Sequence, residues 1–191
     1  ERFNFKKERG EFYLSVNRLV PNKRVDLLIK AFNKLNLPLI IVGDGPERNK
    51  LEKIAKNNIF FHGKSTDNNI EELMSECRAF VYSGIEDFGI APVEAIASGA
   101  PVIGLAKGGL LDTVRCLTEC SKGEIATGVF FKNQTTNDIV STINWFEDKK
   151  IWKYFNSEDL HSYAKNFDGD TFNYKINKFI EKAWNTFIKI N

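Results

Sequence analysis

At 191 residues the chain is long enough for one substantial hydrophobic core. Hydrophobic residues make up 42% and charged ones 27%, and Lys+Arg 27 against Asp+Glu 25 leave a formal charge of +2, so no overall field draws nucleic acid and any anion site must be local. No apolar run approaches the roughly 20 residues that span a bilayer, and the opening Glu-Arg-Phe-Asn-Phe-Lys-Lys lacks the apolar core of a signal peptide, so the chain reads as soluble.

The apolar runs, in chain order, are short and rich in β-branched and aromatic residues, with amphipathic segments between them. Residues 12–16 (Phe-Tyr-Leu-Ser-Val) predict a strand, and Lys23 to Leu35, apolar at Val25, Leu27, Leu28, Ala31 and Phe32, predicts a helix. Pro38 to Gly43 is continuously apolar up to its glycine, the pattern of a strand buried on both faces. A helix over Glu47–Lys56, a strand over Ile59–Phe61 and a helix over Asp67–Cys77 follow, the last with Ser65, Thr66 or Asp67 as its cap. Ala79–Tyr82 predicts a fourth strand and Ala91–Ser98 a helix with Pro92 in its first turn. Pro101–Leu105 and Val129–Phe131 complete six strands, and a helix spans Thr136 to Phe146. Strict alternation implies right-handed crossovers and a doubly wound parallel sheet, hence an α/β, Rossmann-like fold. Beyond Ile151 the pattern is helical, and Tyr174–Ile188 is an aromatic-rich amphipathic helix expected to pack on the sheet domain, with docking against a further domain as the alternative.

Cys77, Cys116 and Cys120 are an odd number with no Cys-x-x-Cys pair, which speaks against a disulfide framework or a zinc site and for a reduced cytosolic setting. Cys116 and Cys120, four apart, would share a face if helical and with His62 or His161 could make a metal set; two ordinary thiols are the simpler reading, and no metal is expected. The one methionine is Met74 and strand signal starts at Phe12, so a preceding N-terminal half is the working assumption.

In sheets of this kind ligands bind beyond the carboxyl ends of the strands. Here those ends carry Asn17-Arg18 with Lys23, Gly43-Asp-Gly-Pro, His62-Gly63-Lys64, Ser83 to Gly89, and Lys107-Gly108-Gly109. The richest is Ser83 to Glu94, where a buried strand gives way to a polar glycine loop and then to a helix, whose free N–H groups suit an anion. An arginine fork and a lysine point charge after the first strand suit a diphosphate. Gly43-Asp-Gly-Pro is a poor dinucleotide fingerprint, since Arg48 stands at the third glycine position and the motif follows the second strand; no P-loop is present. Glu86 and Glu94 would lie roughly 12 Å apart along a helix, too far for the ~5 Å of a retaining glycosidase pair.

Taken together, Arg18 with Lys23, Gly43-Asp-Gly-Pro, the Glu-x7-Glu from Glu86 to Glu94 around Phe88-Gly89, and Gly99-Ala-Pro-Val-Ile followed by Gly108-Gly109 resemble, in order and spacing, the C-terminal donor domain of family 4 retaining glycosyltransferases of GT-B fold. Cys77 to Ala95 is especially similar to prokaryotic mannosyltransferases of surface-glycan synthesis. The resemblance implies a nucleotide-sugar donor, GDP-mannose in the first instance, and no separate cofactor. It places Arg18 and Lys23 on the donor diphosphate, Glu94 on the ribose, Glu86 and the N–H groups of Phe88, Gly89 and Ile90 on the sugar and its phosphate, and Gly63 and Lys64 beside the base; Gly43 belongs to the same binding set. Arg24 departs from the glycine usual after the lysine, and Asp112 from a usual glutamate. A glycan or lipid-linked acceptor would bind the N-terminal half, the whole protein lying in the cytoplasm at the inner face of the membrane. Residues 1–150 would form the donor domain and 151–191 a helical tail. A nucleotide-binding module without transferase activity is the alternative.

Overall fold

A computed structural model of the chain describes residues 2–190. Six strands form one parallel sheet in the order β3-β2-β1-β4-β5-β6: β1 Tyr13–Val16, β2 Leu39–Val42, β3 Ile59–Gly63, β4 Ala79–Tyr82, β5 Val102–Leu105 and β6 Gly128–Phe131. The connecting helices are α1 Val25–Leu35, α2 Arg48–Ile54, α3 Asp67–Glu76, α4 Ile90–Ala97, the single turn α5 Leu110–Thr113, and α6 Thr136–Asp148; α7 Ser157–Ala164 and α8 Gly169–Ile190 follow. The expected α/β, doubly wound architecture is present, and α5 is the added element. Cys116 forms a bridge to Gly128 rather than lying on a helix, so the helical face imagined for Cys116 and Cys120 does not exist.

The continuous apolar strands are explained by two cores. Alternate strand residues Tyr13, Ile41, Val81, Ile103 and Val129 face α1 and α6, where Leu28, Phe32, Ile143 and Phe146 are buried. Their neighbours Leu14, Val42, Phe80, Tyr82 and Val102 face Met74 of α3, Ile96 of α4 and Leu160 of α7. A period of two along the inner strands thus feeds both faces, while on the edge strand β3 one face, with Phe60 and His62, is left to solvent.

Helix α7 packs on α4 and joins this body. Helix α8 does not: from Phe172 through Ile188 every residue is exposed, Phe179, Trp184 and Phe187 among them, against the expectation that this stretch packs on the sheet domain. Its apolar stripe is real, but the body's two faces are already filled by α1, α6, α3, α4 and α7.

The strand order reverses between β1 and β4, which pair side by side although β2 and β3 intervene in sequence. Chains leave these two carboxyl ends in opposite directions, opening a crevice at this point. The loops that border it are residues 17–24 and 83–89.

Candidate functional site

Main-chain anchoring brings the two loops together. The Ser83 hydroxyl donates to the carbonyls of Lys23 and Arg24, at 3.1 and 2.8 Å, and the Gln134 amide donates to the Ser83 carbonyl at 2.8 Å. On the other flank the Gly109 N–H donates to the Glu86 carbonyl at 2.7 Å, an approach that needs a glycine because a Cβ there would lie 2.3 Å from the Asp87 oxygen. Arg24 holds φ 52°, ψ 37°, a left-handed conformation that glycine takes without cost, which is the physical reason a glycine is usual there.

Within this frame the Lys23 ammonium and the Tyr82 hydroxyl both donate to Oε1 of Glu86. Partial burial pushes the Glu86 carboxyl up, but the hydrogen bonds from Lys23 and Tyr82 and the lysine charge outweigh it and hold the group below the usual carboxylate range. Arg18 lies across the loop, exposed and without an ion pair among the described residues. It lines an open cleft of about 530 Å³ with Asn17, Gly43, Asp44, Lys64 and Ser65. Gly43 and Gly63 are joined there by a main-chain hydrogen bond of 2.8 Å.

The opening turn of α4 is built to leave donors unmatched. Helices α3, α6 and α7 are capped by the side chains of Thr66, Thr135 and Asn156, and each carries an acid in its first turn. Helix α4 has neither, and Gly89 enters it in the left-handed conformation at φ 85°. The N–H groups of Phe88, Gly89 and Ile90 have no acceptor among the described residues.

Glu94 is placed apart from Arg18. It lines a second cavity of about 730 Å³ with Arg2, Phe88, Ile90 and His161. Arg2, on the wall of this second cavity, is bonded to Glu71 at 2.5 Å and lies 3.4 Å from Asp67 of α3. Burial, then the charges of Asp67 and Glu71, raise the Glu94 carboxyl against the opposing pull of Arg2. An acid whose folded pKa is raised costs stability when ionised, and the cost disappears as pH falls below the unfolded value of about 4.3. Glu94→Gln is therefore expected to raise the ligand-free melting temperature at pH 7 and to leave it unchanged near pH 3; equal gains at both would place the effect in packing.

The sequence-predicted residues thus fall into three groups: Lys23 with Glu86; Arg18, Gly43, Gly63 and Lys64 on the first cleft or its rim; and Glu94, Phe88 and Ile90 on the second, with Gly89 at the head of α4. His161 bonds the Ala97 carbonyl at 2.6 Å and His62 is exposed, so neither enters the first two groups. Tyr82 and Arg2 were not singled out by sequence. Tyr82 reads as core in an apolar strand; its place at the strand's last residue, four before Glu86, is the signal that could have marked it.

The sheet order and its switch point define a Rossmann-like α/β domain. Residues 1–167 match the family model described as glycosyl transferases group 1, and the chain belongs to that family. A glycosyltransferase of Methanocaldococcus jannaschii, described only as uncharacterised, is 29% identical over 158 residues, which cover 78% of this chain and 39% of that protein. A GDP-mannose-dependent alpha-mannosyltransferase of Mycobacterium tuberculosis is 37% identical over 100 residues, 52% of this chain and 26% of that protein. Among solved structures, sucrose-phosphate synthase of Thermosynechococcus elongatus superposes with a TM-score of 0.77, with 20% identity over 97% of this chain and 50% of that one. Anabaena HepE in complex with UDP and glucose gives 0.73, with 22% identity over 91% and 48%. These structural likenesses speak to the fold, which is that of a Rossmann-like domain in GT-B glycosyltransferases. The chain spans 39% or less of the length of the two curated relatives named here.

Proposed function

We propose that this chain is the donor-binding half of a retaining hexosyltransferase that moves mannose from GDP-mannose to a glycan or lipid-linked acceptor. The observation that carries the reading is the meeting of Lys23 and Glu86, 63 positions apart, at the switch point beside the unmatched N–H groups of α4. A cation, a carboxylate and a row of donors at one crevice suit a ligand that is anionic at one end and hydroxyl-rich at the other. GDP-mannose-dependent relatives support this donor.

Arg18 and Lys23 take the diphosphate, and Glu94 accepts from the ribose hydroxyls. Glu86 and the N–H groups of Phe88, Gly89 and Ile90 hold the sugar and its phosphate, while Gly63 and Lys64 border the base. As the bond between the anomeric carbon and phosphate oxygen breaks, its electron pair leaves with the nucleoside diphosphate. Arg18, Lys23 and the head of α4 stabilise that growing charge, which lowers the barrier because the charge is largest in the transition state. Residues 1–150 act as the donor domain and 151–191 as a helical tail that packs on it through α7 and extends through α8 toward an acceptor-binding half. Among the described residues no helix is long and apolar enough to cross a membrane. The reading places the whole protein in the cytoplasm at the inner face of the membrane, where a lipid-linked acceptor would be met.

The first test is a thermal-shift screen of the chain with GDP-, UDP- and ADP-sugars, since a ligand at a hundred times its dissociation constant adds about 2.7 kcal/mol. Lys23→Ala and Arg18→Ala are each expected to weaken GDP by about 10- to 150-fold, from the ~1.5–3 kcal/mol of a charged hydrogen bond, while scarcely affecting guanosine. Calorimetry showing equal losses for GDP and guanosine would reject the diphosphate assignment. Glu94→Gln should likewise weaken the ribonucleotide more than its 2′,3′-dideoxy counterpart.

A further inference from the structure

We propose that Tyr82 is a positioning residue that keeps the Glu86 carboxylate in place when a donor diphosphate engages Lys23. The inference rests on the reading of Glu86 as the group that meets the donor sugar.

Both donors converge on one carboxylate oxygen of Glu86, and Oε2 accepts from none of the described residues. Oε2 is therefore the atom left for a sugar hydroxyl, and its direction depends on how firmly Oε1 is held. Lys23 is a weak anchor for that purpose. Its ammonium sits on a flexible stem, and a diphosphate competes for its protons with two or more charged oxygens. Tyr82 differs on each count. Its ring is buried to 3% exposure, stacked on Phe80 at 6.4 Å, and fixed at the last position of β4. It has one proton to give, and that proton points at Glu86. Burial, then the hydrogen bond to Glu86 and the charge of that carboxylate, hold the hydroxyl far above its ordinary value, so at neutral pH it keeps its proton and acts as a donor. The carbonyl of Glu86 is tied to the Gly109 N–H and that of Ser83 to the Gln134 amide, so the backbone is fastened at these two points and the direction of the Glu86 carboxylate rests on its own partners.

Tyr82→Phe removes the hydroxyl and keeps the ring, which leaves the core contact intact. Two measurements on the chain test the role. In carboxyl-carbon NMR with labelled glutamate, the midpoint of Glu86 is expected to move upward in Tyr82→Phe, because a hydrogen bond to the ionised form has gone while Lys23 remains. In calorimetry, the affinity ratio of GDP-mannose to GDP, and of UDP-glucose to UDP, is expected to fall about fivefold to tenfold with the nucleoside diphosphate itself nearly unchanged. An unmoved midpoint, or equal weakening of sugar donor and diphosphate, overturns the inference even if the variant is less stable. Glu86→Ala separates the two levels. If it lowers the same ratio and Tyr82→Phe does not, the role of Glu86 stands and that of Tyr82 falls; if it leaves the ratio unchanged, both fall.

Discussion

Gly43→Ala is expected to cost about 3–5 kcal/mol of stability, which for a domain of this size lowers the melting temperature by roughly 10–15 °C. Gly43, directly after β2, holds φ 131°, a conformation that side chains rarely adopt, and a Cβ there would stand 1.8 Å from the carbonyl oxygen of Asn17. No rotamer relieves this clash, because the obstacle is main chain on both sides. The Asn17 N–H donates to the Val42 carbonyl at 2.9 Å and the Gly43 N–H to the Gly63 carbonyl at 2.8 Å, so three strand ends are fastened around one glycine. Relief requires β1, β2 or β3 to give way, and the Arg18 loop moves with them. Gly169→Ala is the control: nothing lies within 4 Å of its Cβ and its φ is ordinary, so its melt should match the parent's. A Gly43→Ala melt within two degrees of the parent would show that the turn can rearrange cheaply.

How much of this was legible in the sequence depends on the range of the interactions involved. The strands were readable because runs such as Leu39–Val42 and Ala79–Tyr82 are buried on both faces and so lack polar interruptions. Helix α5 was not, since the four residues Leu110–Thr113 are too few to show a helical period. For α8 the amphipathic stripe was plain, yet a stripe does not name what covers it, and the structure leaves that face exposed. The site was legible only as spaced motifs. That Lys23 and Glu86 share a bond follows from the β1–β4 pairing, which no local pattern encodes. Tyr82 was hidden for the opposite reason: its ring belongs to the core, and only its hydroxyl belongs to the site.

The chain alone is expected to bind GDP-mannose and to transfer nothing. On the proposed reading the groups at the switch point serve the donor: Lys23 and Arg18 for the diphosphate, Glu86 for the sugar, the N–H groups of Phe88, Gly89 and Ile90 for the charge between them. Nothing in that set would orient an acceptor hydroxyl against the anomeric carbon, and orientation alone can be worth roughly 7–11 kcal/mol of barrier. In a polypeptide where this chain is joined to an acceptor-binding half, transfer should proceed with retention. There Glu86→Ala should lower turnover about a hundredfold or more, the scale on which a preorganised polar group acts at a developing charge. GDP binding should largely survive in that variant, because Arg18 and Lys23 remain and Lys23 is freed from its partner. Product formation by the chain and by the joined polypeptide, with the anomeric configuration read by NMR, decides the matter. Transfer by the chain alone at the rate of the joined polypeptide, or an inverted product, would defeat the donor-half reading, and full turnover in Glu86→Ala would remove that residue from the reaction.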